Sequence, residues 1–264
     1  MVRSLWIGAS GMIGGQFNID VIANNLANIN TTGYKRSRAE FEELLYQTHR
    51  LAGSPSSELT IYPVGIQVGV GVRPSATLKY HTQGSLQNTG NKLDLAISGE
   101  GYFRVVLPDG TYAYTRDGSL KLDANGEIVT SNGYRFEPPI VLPEGARVET
   151  VKITDNGVVY VKVGDSNEDI EVGRIYLYRF INPAGLDSIG ENLFKETVAS
   201  GPAYEGIPTV DGFGKLHQGF LEMSNVNPVR EFVDMIVAQR AYEFNSKAIQ
   251  TTDSMLSTAV NLKR

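Results

Sequence analysis

The chain has 264 residues, 41% of them apolar and 20% charged, and a net charge of -5. That balance is globular rather than disordered, and the length suits one large domain or two modest ones. The charge offers no basic field for nucleic acid or an anionic membrane, the lack of cysteine excludes disulfides and thiolate chemistry, and no stretch approaches the ~20 continuous apolar residues of a membrane span.

The N-terminal segment has helical spacing. Leu5, Met12, Ile19 and Leu26 recur every seven residues, with Ile22 and Ile29 three after two of them and Val2, Ala9 and Ala23 three before. Gly8, Gly11, Gly14 and Gly15 weaken this helix by roughly 0.8–1.0 kcal/mol each relative to alanine, so it is not expected to stand alone. Arg3 is followed only by Leu5-Trp6-Ile7 before Gly8, which is shorter than the about 7–15 apolar residues of a signal peptide. Export without a cleaved leader is the expectation. Asn28 to Gly33 then reads as a break between helix and extended chain, because Asn and Thr side chains bond nearby backbone and Gly33 can take positive φ.

Residues 46–66, with Gly53-Ser54-Pro55-Ser56-Ser57, are predicted to be loop-like. From about residue 96 to 200 the period changes to two. Tyr102–Leu107 is a predicted strand, and Asp109-Gly110, Asp117-Gly118, Asn125-Gly126 and Asn132-Gly133 follow as hairpin turns of an antiparallel meander. Val151–Ile153, Val158–Val163 and Arg174–Phe180 add strands, with Asn156-Gly157 as a further turn. Residues 200–225 again look like loop. The last element is a long helix. Asn227 suits the N-cap and Pro228 the first helical position. Glu231 and Asp234 complement one end of the dipole, Lys263 and Arg264 the other. Met235, Tyr242, Ile249 and Leu256 repeat at seven, and Ala241, Ala248, Met255 and Leu262 form an adjoining row. Such a helix is on the order of 50 Å long.

Both terminal helices carry an apolar stripe that needs cover. Periodicity alone leaves two arrangements open: the ends pair with each other and with neighbouring copies, or they fold back onto the β domain. In the first, the wide apolar face of the C-terminal helix stays partly exposed in a monomer, and a non-closing contact between such faces builds a filament.

Particular residues favour the first arrangement. Asn24–Lys35 reads Asn-Asn-Leu-Ala-Asn-Ile-Asn-Thr-Thr-Gly-Tyr-Lys, and the other end carries Gln218-Gly219-Phe220-Leu221-Glu222, Ser224-Asn225-Val226-Asn227-Pro228 and Ala238-Gln239-Arg240-Ala241-Tyr242-Glu243. These strings resemble the rod and hook proteins of the bacterial flagellum. Arg3-Ser4-Leu5-Trp6, Leu45-Tyr46-Gln47-Thr48 and Gly69-Val70-Gly71-Val72-Arg73-Pro74 resemble the distal rod branch in particular. The likeness is strongest over 1–106 and 216–264; Gly14-Gly15 and Thr209-Val210 depart from it.

The resemblance implies an α+β fold in which long terminal helices, 1–33 and 226–264, pair as a coiled-coil domain lining a channel. An extended inner β layer at 34–95 and 201–225 would include the rod-specific 46–66 insert, with an outer antiparallel β domain at 96–200. It implies a structural, non-enzymatic subunit of a hollow periplasmic drive shaft that serves motility. The implied partners are further copies in a helical tube, the proximal rod and hook proteins, the ring (bushing) proteins and the flagellar type III export apparatus, with no nucleic acid, membrane insertion or cofactor. The residues expected to carry assembly are Leu5, Met12, Ile19, Leu26, Asn25, Asn28, Thr32, Gly33, Tyr34, Asn225, Asn227, Pro228, Met235, Tyr242, Ile249 and Leu256.

Enzyme motifs are missing. Gly69-x-Gly71 lacks a third glycine and opens no helix, and no Walker, zinc or Gly-x-Ser-x-Gly signature occurs. Asp123-Ala124-Asn125-Gly126 is a turn rather than a calcium loop, and His49, His81 and His217 are isolated. Lys35-Arg36-Ser37-Arg38 reads as a solvated basic edge or a contact between copies with Glu40–Glu43. Two alternatives remain: a hook or proximal rod subunit, and a secreted carbohydrate-binding or hydrolytic β domain. The latter needs carboxylates paired about 5–9.5 Å apart, for which Asp94 and Glu100 are the acids at hand.

Overall fold

A computed structural model describes residues 2–56, 60–163 and 168–262. Ser57, Lys263 and Arg264 lie outside the described residues. The chain divides into two compact units, one of residues 1–27, 37–78 and 227–264, the other of 28–36 and 79–226.

The first unit contains helix α1 (Val2–Ala27), strands β1 (Ser37–Glu43), β2 (Tyr46–Arg50), β3 (Ile66–Gly69) and β4 (Val72–Lys79), and helix α2 (Pro228–Asn261). α1 and α2 pack against each other, and α1 also packs on β1, which pairs with β4. α2 starts where its capping chemistry places it: the Asn227 side chain accepts a bond from Arg230 N at 3.2 Å, and Pro228 takes the first turn.

Residues 46–66 correct the expectation of a loop. β2 and β3 form an antiparallel ribbon, extended by the Pro55–Ile61 bridge and by bonds between Gly53 N and Tyr62 O, Tyr62 N and Ser54 O, and Ser56 N and Thr60 O. β2 is exposed on both faces, so it has no apolar alternation to signal a strand. Cross-strand pairs hold it, with the Arg50 guanidinium 3.7 Å from the Tyr62 ring centroid.

The second unit is built from short strands: β5 (Leu86–Asn88), β6 (Leu95–Ser98), β7 (Phe103–Val106), β8 (Tyr112–Thr115), β9 (Lys121–Leu122), β10 (Ile128–Val129), β11 (Arg135–Phe136), β12 (Lys152–Ile153), β13 (Val158–Val161), β14 (Ile170–Arg174), β15 (Leu177–Arg179), β16 (Asp187–Gly190), β17 (Leu193–Lys195), β18 (Tyr204–Gly206), β19 (Lys215–Gln218) and β20 (Phe220–Glu222). One sheet runs β16-β17-β8-β7-β11-β10-β9, and the remaining strands form smaller antiparallel sheets. The main apolar core is held by Leu95, Ile97, Phe103, Val105, Leu120, Ile128, Val159, Leu177 and Leu216, and a second cluster is aromatic, around Tyr102, Tyr114, Tyr178 and Phe180.

Four of the five expected turns close hairpins, at Asp109-Gly110, Asn125-Gly126, Asn132-Gly133 and Asn156-Gly157. Asp117-Gly118 does not, and it interrupts the meander. β8 pairs with β7 and β17, so the chain must cross to reach β9. Gly118 is needed there for close approach: a Cβ on it would lie 1.8 Å from Leu95 O, whose own N–H bonds Gly118 O at 3.0 Å. The expected strand 174–180 is broken into β14 and β15, and 200–225 contains β18, β19 and β20 rather than loop alone.

One backbone strain stands out. Thr209, a β-branched residue, sits at φ +74° with its N–H bonded to Gly214 O at 3.0 Å. Thr209→Gly therefore raises stability by about 1 kcal/mol; a urea midpoint that falls or stays put would contradict this.

Candidate assembly site

In the first unit, the first half of the α1 face toward α2 presents backbone rather than side chains at its glycines. A Cβ on Gly8 would lie 2.7 Å from Ile249 Cγ1, one on Gly11 2.7 Å from Asn245 Nδ2, and one on Gly15 3.7 Å from Tyr242 Cβ. As the α1 number rises the α2 number falls, so the helices run antiparallel. The glycines read above as weaknesses are the contact surface. Gly8, Gly15 and Ile22 repeat at seven, as do Gly11 and Asn25 at twice that. Leu5, Met12, Ile19 and Leu26 flank this seam half-buried, while Ile22 and Asn25 are buried. Gly14 faces the other way, toward Phe41 of β1 and Val72 of β4.

On α2 the inward row contains buried Glu231 and Ala238, with Met235, Asn245, Ile249 and Leu256 half-buried and Tyr242 just on the exposed side. Ala241, Ala248, Met255 and Leu262 are exposed. A larger apolar surface lies elsewhere. Val229, Phe232, Val233, Ile236, Val237 and Phe244 are all exposed, Val229 by 72% and Phe244 by 67%. The 3.6-residue period puts them on the side of α2 opposite the seam. On α1, Trp6 and Ile13 are exposed as well. Toward its C-terminus α2 becomes polar, and Thr251, Thr252, Ser254 and Thr258 turn their hydroxyls onto their own i−4 carbonyls at 2.8–2.9 Å.

In the second unit, the residues after α1 meet the chain's return. Gly33, at φ +69°, lies well past the end of α1 and is not its cap. Its N–H bonds Glu222 O at 2.8 Å, and a Cβ on it would lie 2.7 Å from Asp117 N. Thr32 Oγ1 donates to Asp117 Oδ1 at 2.9 Å, and Asn192 Nδ2 donates to Thr32 O at 3.0 Å. Asn28 Oδ1 accepts from Thr31 Oγ1 at 3.1 Å, and Tyr34, half-buried, closes the turn through a 3.4 Å bond to Thr31 O. Asn225 accepts from Arg36 N at 2.7 Å and donates to Tyr80 O at 2.9 Å and Thr82 O at 3.1 Å.

Lys35 is not a solvated edge. Its side chain is fully buried and donates to Glu222 Oε1 at 2.6 Å and Thr82 O at 2.8 Å. Gly84 N also bonds Oε1 at 2.9 Å, and Arg116 holds Oε2 at 2.7 Å. The remaining Arg116 donors reach Gly99 O, Gly101 O and Ile97 O. Two buried cations thus share one buried carboxylate. Burial, then the Arg116 charge, lowers the Lys35 pKa to about 8. His81, with Nδ1 2.7 Å from Tyr102 Oη, is lowered to about 3 by burial and by Lys35, Lys79 and Arg116, so it stays neutral at physiological pH. Sequence reasoning missed Glu222, Arg116, Asp117 and Asn192 as partners, since their pairings span 85 to 187 positions.

A cleft of about 850 Å³ beside Arg116 is lined by His81, Gln83, Tyr102, Arg179 and Tyr204. It holds no carboxylate pair: Glu100 lies 3.6 Å from Arg179, and Asp94 is buried, bonded by Thr89 at 2.6 Å and Asn91 at 2.8 Å. Among the described residues no group of three or more His, Asp or Glu could hold a metal ion, and no helix is long and apolar enough to cross a membrane.

Three family models match: "Flagella basal body rod protein" over residues 5–35, "Flagellar hook protein FlgE/F/G D1 domain" over 96–161, and "Flagellar basal body rod FlgEFG protein C-terminal" over 217–262. They define a subunit of the flagellar rod and hook class. The chain is 57% identical to the flagellar basal-body rod protein FlgG of Borreliella burgdorferi over 264 residues, all of both chains, and 49% identical to that of Buchnera aphidicola over 97% of this chain and 98% of the other. The flagellar hook protein FlgE of Helicobacter mustelae is 48% identical over only 136 residues, 51% of this chain and 30% of that one. The chain belongs to the FlgG family of flagellar basal-body rod proteins.

Removing Glu222 leaves both cations buried and unpaired, whereas removing Lys35 leaves a neutral Arg116–Glu222 pair. Glu222→Gln is expected to cost about 3–5 kcal/mol and Lys35→Met less, about 1–2 kcal/mol; urea unfolding in which Lys35→Met is the worse variant would contradict the arrangement. The pH dependence follows from the lowered Lys35 pKa. Between about 8 and the unfolded value of 10.5 the unfolded chain holds a proton the folded chain has lost, so stability rises with pH. From pH 8 to 10, wild type gains stability relative to Lys35→Met.

Proposed function

We propose that this chain is a structural subunit of the flagellar distal rod, without enzymatic activity, and that its copies polymerise helically into a hollow, rigid shaft transmitting torque from motor to hook. The observation that carries the reading is the apolar face of α2 from Val229 to Phe244, exposed on the side away from α1. A monomer rarely leaves such a face uncovered without a partner, and a contact that repeats without closing gives a filament. The full-length likeness to rod proteins, against partial likeness to a hook protein, favours rod over hook.

In this reading, α1 and α2 pair as a coiled coil, and the second half of α2, with its self-bonded hydroxyls, lines the channel. The β-rich residues 96–200 form the outer domain, and 34–95 with 201–225 form an inner layer that includes the 46–66 ribbon. The sixteen motif and stripe residues named from sequence carry assembly, either as helix packing or, for Asn28 to Tyr34 and Asn225, by fixing the path of the chain. The rod stands in the periplasm, reached by type III export, and meets proximal rod proteins, hook protein and ring proteins.

Phe232→Asp and Ile236→Asp leave the β unit folded and abolish tube formation at concentrations where the natural chain polymerises. Sedimentation and negative-stain microscopy read this directly. Straight hollow tubes formed by either variant would overturn the reading.

A further inference from the structure

The seam between α1 and α2 has an unusual asymmetry. α2 contributes Tyr242, Asn245 and Ile249, while α1 answers with Gly8, Gly11 and Gly15. Helix pairs keep register because side chains of one helix sit in holes of the other. The three glycines stand one turn apart, so a slip by one turn, ~5.4 Å, carries two of the three α2 side chains from one glycine to the next and meets little steric resistance there. The register has to be fixed further along.

Asn25 lies on the same row, three residues past Ile22, and it is completely buried. Its amide reads a backbone edge like an added strand residue: Nδ2 donates to Ser37 O at 2.7 Å and Oδ1 accepts from Ser37 N at 2.9 Å. The same Nδ2 donates to Glu231 Oε2 at 3.0 Å, and Glu231 is also completely buried, in the first turn of α2. One side chain thus joins the end of α1, the start of β1 and the start of α2. A buried polar contact of this kind is worth little as net stability but discriminates strongly against misalignment, since a slipped register leaves an amide and a carboxylate buried without these partners.

We propose that Asn25 is a positioning residue that sets the register of α1 on α2 through Ser37 and Glu231, the glycine seam being a rail that does not set it. The register in turn decides where Trp6 and Ile13 of α1 stand relative to the exposed face of α2.

The chain has no cysteine, so engineered pairs report register cleanly. The Gly15 and Tyr242 Cβ positions, 3.7 Å apart, suit a disulfide. In the full-length chain at a concentration below polymerisation, Gly15→Cys with Tyr242→Cys closes efficiently. Gly15→Cys with Ala238→Cys or with Asn245→Cys, one turn away on either side, does not. Adding Asn25→Leu shifts cross-linking toward one of the one-turn pairs, while adding Glu231→Gln, whose carbonyl still accepts from Asn25, preserves the original pattern. Should Asn25→Leu fail to fold, as judged by circular dichroism, Glu231→Leu removes only the α2 half of the pin and carries the same expectation. A pattern unchanged in the folded variant, with the Gly15–Tyr242 pair still the only one to close, overturns the proposal. The readout needs no polymer, so its failure leaves the rod reading standing, and that reading fails separately if the natural chain forms no tubes.

Discussion

The constraint on which the structure depends is that α2 has more apolar surface than one partner helix can cover. The 34-residue helix buries its inner row against α1, and the close approach allowed by Gly8, Gly11 and Gly15 makes that contact tight but narrow. What remains, from Val229 to Phe244, faces away. Covering it at roughly 25 cal/mol per Å² of apolar area is favourable enough to drive association, and a head-to-tail contact between copies closes into a ring or runs on as a filament.

The second unit meets a different demand. Its strands are two to five residues long, too short to define one another by ladder bonds alone. Its apolar core is assembled from many of these strands, and the buried charges tie together segments far apart in the chain. Glu222 collects Lys35, Gly84 and Arg116 from three separate stretches of chain, and Thr32, Asp117 and Asn192 knit the turn after α1 into the same unit. Losing any one cation leaves the carboxylate partly satisfied, while losing the carboxylate leaves two charges stranded in a dry interior.

The helices were legible because their signals are local: the Asn227-Pro228 start, the seven-residue repeats and the freedom of α2 from internal glycine and proline. The Asn-Gly hairpins were legible for the same reason. Asp117-Gly118 carries the same local signal but a different role, dictated by the approach of Leu95 from the neighbouring segment. The 46–66 ribbon was missed because a strand with no buried face leaves no alternation to read. The seam itself was present in the sequence, since Gly8, Gly15 and Ile22 share one row. Reading glycine only through its helix propensity concealed it; close packing was the competing effect that won. Lys35 looked like part of a basic edge because its partner lies 187 positions away.

Hydroxyl-radical footprinting of the natural chain, dilute and concentrated, tests the central claim most directly. The account requires Phe232 and Phe244 to be readily oxidised in the dilute molecule and strongly protected once tubes are present, with Trp6 following them. Tubes visible by microscopy while Phe232 and Phe244 remain as reactive as in the monomer would contradict it.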